Sequence, residues 1–126
     1  MSKPLEWVGS AYKDLVAMPE EVQDTFGYGL HLAQDGGKHQ DAKPFTQAGG
    51  GVMEIIEDND GKTYRAMYTA KLANAVYVLH CFQKKSKSGV ATPKQDAALV
   101  QQRLKAALAH SKAAISKAAA PPRKLS

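Results

Sequence analysis

Three lysines, Lys84, Lys85 and Lys87, crowd the end of an apolar stretch, VYVLHCFQ, and Arg65 lies in the strand-like segment before it. Clustered ammonium groups suit a phosphate backbone, because neutralising several phosphates releases their counterions. The planar guanidinium of Arg65 suits a phosphate, or charge growing on one. The ordinary readings of the same residues are a solvated lysine loop and a cross-sheet salt bridge from Arg65 to Glu54 or Glu57. His80 is the one histidine inside a strand pattern, and its usual pKa of about 6.5 suits proton transfer. A histidine on an apolar face is nonetheless more often a satisfied core residue. His31, His39 and His110 fall on other elements, so neither a metal site nor a cofactor is expected. Tyr64, Tyr68 and Tyr77 sit on neighbouring strands, where an aromatic near cations can stack on a splayed base. Plain strand packing is the better reading for Tyr77.

These residues need a sheet to hold them. Leu5 to Val8 predicts a short first strand, and Ser10 a helix N-cap before AYKDLVAM. Pro19 predicts the first position of a second helix, with Glu20, Glu21 and Asp24 at its positive end. Val22, Phe26, Leu30 and Ala33 give that helix an apolar face, while Gly27 and Gly29 each weaken it by roughly 1 kcal/mol. Gly36 and Gly37 end it. Residues 38–51 read as a loop. Strands are predicted over Val52–Glu57, Thr63–Leu72 and Ala75–Lys84, with turns at Asp58-Asn59-Asp60-Gly61 and Ala73-Asn74. Period-two alternation puts Tyr64, Ala66, Tyr68 and Ala70 on one face, opposite Arg65, Met67, Thr69 and Lys71. On the last strand it puts Val76, Val78, His80 and Phe82 on one face, and Tyr77, Leu79 and Cys81 on the other. Thr92-Pro93-Lys94-Gln95 predicts a helix start with Thr92 as N-cap and Gln95 completing a capping box. Ala97, Val100, Leu104 and Leu108 form its apolar stripe.

Charge is divided unevenly. Residues 1–60 hold four lysines against eleven acidic residues, whereas residues 61–126 hold thirteen cations against Asp96 alone. Such asymmetry points to a nucleic-acid surface or a basic tail. A chain of 126 residues, 44% of them apolar, fits one domain. It has no apolar run near the ~20 residues of a membrane span and no secretory signal pattern. Cys81 is the only cysteine, which excludes an internal disulfide and suits a cytoplasmic setting. Nucleotide-loop, nucleophile-elbow and paired-cysteine motifs are absent. From the residues alone the fold class is α+β: a small, mostly meander antiparallel sheet whose basic edge binds nucleic acid.

The ordered series Gly50-Gly51-Val52-Met53-Glu54, Tyr64-Arg65-Ala66-Met67-Tyr68, Val78-Leu79-His80-Cys81-Phe82-Gln83-Lys84-Lys85-Ser86 and Ala91-Thr92-Pro93-Lys94, with Arg103, resembles the phage-related HigB-like branch of the RelE/ParE toxin superfamily. Lys43-Pro44-Phe45 adds to the likeness, which runs from about Trp7 to Leu108. The resemblance implies two N-terminal helices packed on the sheet and a C-terminal helix, in a toxin domain spanning 1–111. Residues 112–126 would be a basic, disordered tail without family counterpart. It also implies a toxin that cleaves mRNA on the ribosome without a metal, blocks translation and is neutralised by a cognate antitoxin, a helix-turn-helix DNA-binding protein. Carried over by position, Arg65, Lys84 and Lys85 would stabilise charge. His80 or Tyr68 would move protons, and Lys87, Lys71, Lys94 and Arg103 would contact RNA. Better-known members place a catalytic Tyr or His near the C-terminus, whereas this chain has no Tyr after Tyr77. The alternatives are a ParE-like, non-catalytic inhibitor of DNA gyrase and an inactive prophage-derived homologue.

Overall fold

The computed structural model describes residues 2–84 and 92–119. Chain order is β1 (Leu5–Trp7), α1 (Ala11–Val16), α2 (Glu20–Gln34), β2 (Ala42–Pro44), β3 (Val52–Asn59), β4 (Lys62–Thr69), β5 (Val76–Lys84) and α3 (Lys94–Ala119). Asp60 and Gly61 both take positive φ, 51° and 75°, and close a two-residue hairpin whose twist matches that of β3 and β4. β5 returns antiparallel to β4, and β1 then pairs parallel to the start of β5, from Leu5 opposite Val76 to Trp7 opposite Val78. The sheet order is β1-β5-β4-β3-β2. β2 falls inside the expected 38–51 loop. Its three residues pair antiparallel with β3, and Pro44 is tolerated there because β2 is an edge strand.

Helices cover both faces. Val22, Phe26, Leu30 and Ala33 of α2 join Ala11 and Leu15 of α1 over Ile55, Tyr64, Ala66, Tyr68, Val76, Val78 and Cys81. The opposite face carries Val100, Leu104 and Ala107 of α3 against Met67, Tyr77, Leu79 and Phe82. The α3 stripe therefore turns through Ala107 to buried Ser111, and Leu108, expected in the core, is 42% exposed. Spacings of four, three and four residues keep one helical face better than a strict i+4 series. α3 continues without a break past the expected boundary at 111 and runs to Ala119.

One ladder irregularity reorients the last strand. Met67 pairs with His80 but Tyr68 pairs with Val78, so Leu79 has no partner across the sheet. This bulge shifts the alternation by one residue. Val76, Val78 and Cys81 share the α1–α2 face, while Tyr77, Leu79 and Phe82 share the α3 face. The expected grouping of Val76 and Val78 with Phe82 is corrected accordingly. On β4, where no residue is inserted, Tyr64, Ala66, Tyr68 and Ala70 do share the face opposite Met67.

Two helix starts also differ from expectation. Pro19 is the N-cap of α2 rather than its first helical residue. Thr92 lies one position before the cap of α3, and its hydroxyl is taken by Arg65.

The two glycines of α2 have different surroundings. A Cβ at exposed Gly27 would meet nothing within 4 Å, whereas one at buried Gly29 would lie 2.5 Å from Ile55 Cδ1 in the core. Gly27→Ala should therefore raise stability by about 0.5–1 kcal/mol in urea denaturation. Gly29→Ala should show no such gain, because Ile55 must move against a packed neighbourhood.

Candidate active site

Alternation on β3 and β4 brings a row of charges onto the face that α3 covers. Glu54 faces the side of Val52, and Arg65 the side of Met67, both in the α3-side core. Arg65 is 3% exposed and its Nη1 donates to Glu54 Oε2 at 3.1 Å. The cross-sheet salt bridge is thus real, and it involves Glu54. Glu57 lies on the opposite face, where it accepts from Thr25 Oγ1 at 2.8 Å. Arg65 Nη1 also donates to Thr92 Oγ1 at 3.0 Å, tying the row to the start of α3. Lys43, opposite Glu54 on β2, adds an exposed cation 3.7 Å from Glu54 Oε1.

Lys84 ends β5 on the same face as Phe82, two residues along, and is 7% exposed. Burial pulls its pKa below the usual lysine value, the nearby Arg65 guanidinium lowers it further, and Glu54 opposes both. The ammonium is therefore readier to release its proton than a surface lysine.

His80 lies beside this row, opposite Met67 and diagonal to Arg65. Its Nε2 is 2.7 Å from Asp96 Oδ1 in the first turn of α3, and its ring stacks on Phe82 at 4.5 Å. His80 is 6% exposed, and its Nδ1 is buried with no hydrogen-bond partner. An ionised carboxylate only accepts, so the Asp96 contact is made through a proton on Nε2, and Nδ1 carries the lone pair when the ring is neutral. Sequence reasoning missed Asp96. Its one signal was being the only acid after residue 60, and a first-turn acid is ordinarily explained by the helix dipole.

The pair also lines a cleft of about 630 Å³, which opens between Asp14 of α1 and Met18 of the α1–α2 turn, β5 at His80 and Phe82, and α3 at Gln95 and Asp96. Cys81 borders it too, but burial, with Asp14 adding to the effect and Arg103 opposing it, pushes the thiol up to about 12. It is no nucleophile at neutral pH.

Arg65, Lys84 and His80 thus share one sheet face, with Phe82 between His80 and Lys84, which stand roughly 13 Å apart by strand rise, and the remaining expected residues are placed elsewhere. Tyr68 lies on the opposite face, fully buried against α1 and α2, with its pKa raised by burial. Lys71 follows β4 and crosses Gly51. It is six residues from Arg65, roughly 20 Å by strand rise. Lys94 is exposed in the first turn of α3. Arg103 points to the sheet edge, where Nη1 donates to the Leu79 carbonyl at 2.9 Å and Nη2 to Ser10 Oγ at 3.0 Å. Lys85 and Lys87 lie outside the described residues. Among the described residues no group of three or more His, Cys, Asp or Glu is arranged to hold a metal ion, and no helix is long and apolar enough to cross a membrane.

The arrangement can neutralise an anion at Arg65 and Lys84 while a neutral imidazole accepts a proton beside it. Among curated proteins none matches the chain. Residues 13–105, which carry every element from α1 to the middle of α3, match the profile of the phage-derived Gp49-like proteins (DUF891), and the chain belongs to that family of RelE/HigB-like toxins.

Proposed function

We propose that the chain is the toxin of a toxin–antitoxin pair and cleaves mRNA on the ribosome, in the cytoplasm, with a cognate antitoxin restraining it. The observation that carries this reading is the placement of two buried cations, Arg65 and Lys84, on one sheet face beside the His80–Asp96 pair. RNA supplies its own nucleophile. Nδ1 of His80 is buried, so the cleft opens around the ring as RNA enters, and Nδ1 then takes the proton of a 2′-hydroxyl as that oxygen attacks the neighbouring phosphorus. Arg65 and Lys84 hold the added negative charge of the phosphorane. Lys84, whose pKa is lowered by burial and by Arg65, then gives its proton to the departing 5′-oxygen. The products are a 2′,3′-cyclic phosphate and a free 5′-hydroxyl. Asp96 holds the ring in the tautomer the first step needs and stabilises the imidazolium that results.

Lys85 and Lys87, which follow Lys84 in the sequence, supply further cations for the RNA, and Lys94 adds a phosphate contact at the helix start. Tyr68 has no part in the proposal, because the sheet separates it from Arg65.

The decisive experiment maps new RNA 5′ ends minutes after inducing the wild-type chain, His80→Gln or Lys84→Met. In-frame cuts within translated codons are expected for the wild type and should fall at least on the order of 100-fold with either variant. Growth arrest without such cuts would move the reading to a gyrase inhibitor. An absence of both would leave an inactive homologue.

Arg65→Ala is a poor probe, because it leaves Glu54 charged and buried. It should cost about 3–5 kcal/mol in urea denaturation, so lost toxicity would report lost fold.

Lys84→Met should behave oppositely. The folded-state pKa of Lys84 lies below the ordinary 10.5, so the folded chain holds that proton less firmly than the unfolded one. Charging Lys84 thus disfavours folding below the folded pKa, and the penalty disappears as pH rises toward 10.5. Lys84→Met should accordingly be at least as stable as wild type at pH 7. Its advantage should shrink over that upper window, as read by denaturation at stepped pH.

A further inference from the structure

The geometry points to Arg103 as a positioning residue for His80, acting through the bulge at Leu79; the consequence for catalysis rests on the reading of His80 as the base. Strict alternation from Val76 and Val78 would turn His80 toward α1 and α2, into the place that Cys81 occupies. The unpaired Leu79 prevents this, because the inserted residue lets Leu79 and His80 both face α3.

An inserted residue also has a cost, since the Leu79 carbonyl needs a partner outside the ladder. A buried acceptor left unmatched costs about 1–3 kcal/mol. Arg103 supplies that partner at 2.9 Å. Its second nitrogen is anchored on Ser10 Oγ, which itself donates to Asp14 Oδ2 at 2.7 Å. The turn between β1 and α1 is shaped for the guanidinium. Gly9 takes φ +56°, and a Cβ there would sit 2.9 Å from three guanidinium atoms. A planar fork with two donors fits this task, and a lysine does not reproduce it.

Asp96 and Arg103 are seven residues apart, two turns along one face of α3. The helix therefore holds the ring of His80 with one residue and the backbone that aims it with the other. Without Arg103, the extra residue can migrate along β5 and rotate the imidazole away from Arg65 and Lys84.

The test uses the full chain with ¹⁵N-labelled histidine and long-range ¹H–¹⁵N spectra of the ring nitrogens, beside cleavage rates on programmed ribosomes. In wild type, His80 should show the proton on Nε2. Arg103→Met should change the tautomer ratio and titration of His80, leave the signals of His31 and His39 in place, and lower the cleavage rate on the order of 100-fold with little change in KM. Arg103→Lys should recover part of both. Should Arg103→Met fail to fold, Ser10→Ala, which removes only the second anchor, should move His80 in the same direction by less.

His80 signals that superimpose on wild type in the folded variants would overturn the proposal. So would an equal displacement of all histidines, which is the signature of general loosening. The spectra are independent of activity. A displaced His80 in a chain whose wild type cuts no RNA would uphold the positioning role and sink the nuclease reading, and the reverse pattern would do the opposite.

Discussion

Glu54 is the one carboxylate in a row that otherwise holds Lys43, Arg65 and Lys84, and the charged half of the sheet depends on it. Its two oxygens face different cations, one at 3.7 Å on Lys43 and the other at 3.1 Å on Arg65. Charges taken out of water are held only where a counter-charge and hydrogen bonds compensate. Glu54 and Thr92 together meet that condition for Arg65. Lys84 benefits less, because burial and Arg65 outweigh Glu54 and leave its pKa lowered. Within the row the cations Lys43, Arg65 and Lys84 outnumber the carboxylate of Glu54. In the proposed reaction, the charge added in a phosphorane falls on the Arg65 and Lys84 side of this row.

The second constraint is that β5 serves two cores at once. Every residue from Val76 to Phe82 is buried, so each must satisfy one helix layer or the other. A bulge in such a strand is tolerated where both neighbouring side chains find apolar contacts and the freed carbonyl finds a donor. Leu79 packs with Val100 and Leu104, while Arg103 from the same helix supplies the donor. Packing, backbone hydrogen bonding and the aim of His80 are thus settled together at one position.

Much of this was legible in the sequence, for identifiable reasons. The α2 stripe of Val22, Phe26, Leu30 and Ala33, the Asp60-Gly61 turn and the β4 alternation are local patterns, and local patterns survive in tertiary context. What could not be read were the features set between elements. A bulge leaves no mark in VYVLHCFQ, because every residue there is acceptable on either face. Whether Arg65 meets Glu54 or Glu57 depends on β3–β4 register, and the Asp60-Gly61 hairpin fixes that register at a distance from both. The hydroxyl of Thr92 resembled a cap by its spacing, and only the folded sheet brings Arg65 to it. The grouping of Arg65 with Lys84 was readable from their neighbouring strands and the resemblance only gave it a role, while Asp96 and the structural duty of Arg103 emerged only from geometry.

The helix that follows the cationic run acts as the template for the site. Counting the residue pair ahead of it, the first part of α3 makes three separate connections: Thr92 to Arg65, Asp96 to His80 and Arg103 to Leu79. Its apolar stripe against the sheet is short, so polar contacts have to fix its position along the sheet. At the far end Asn74, Tyr77, His110 and Ser111 form a hydrogen-bonded clamp that does so. A sliding helix would carry Asp96 and Arg103 together and disturb ring and backbone at once. Four helical turns separate the clamp at His110 and Ser111 from Asp96, so the part of α3 fixed by the clamp lies apart from the buried charges. This division lets a domain of modest size keep Arg65, Lys84 and an unsatisfied imidazole nitrogen buried on one sheet face.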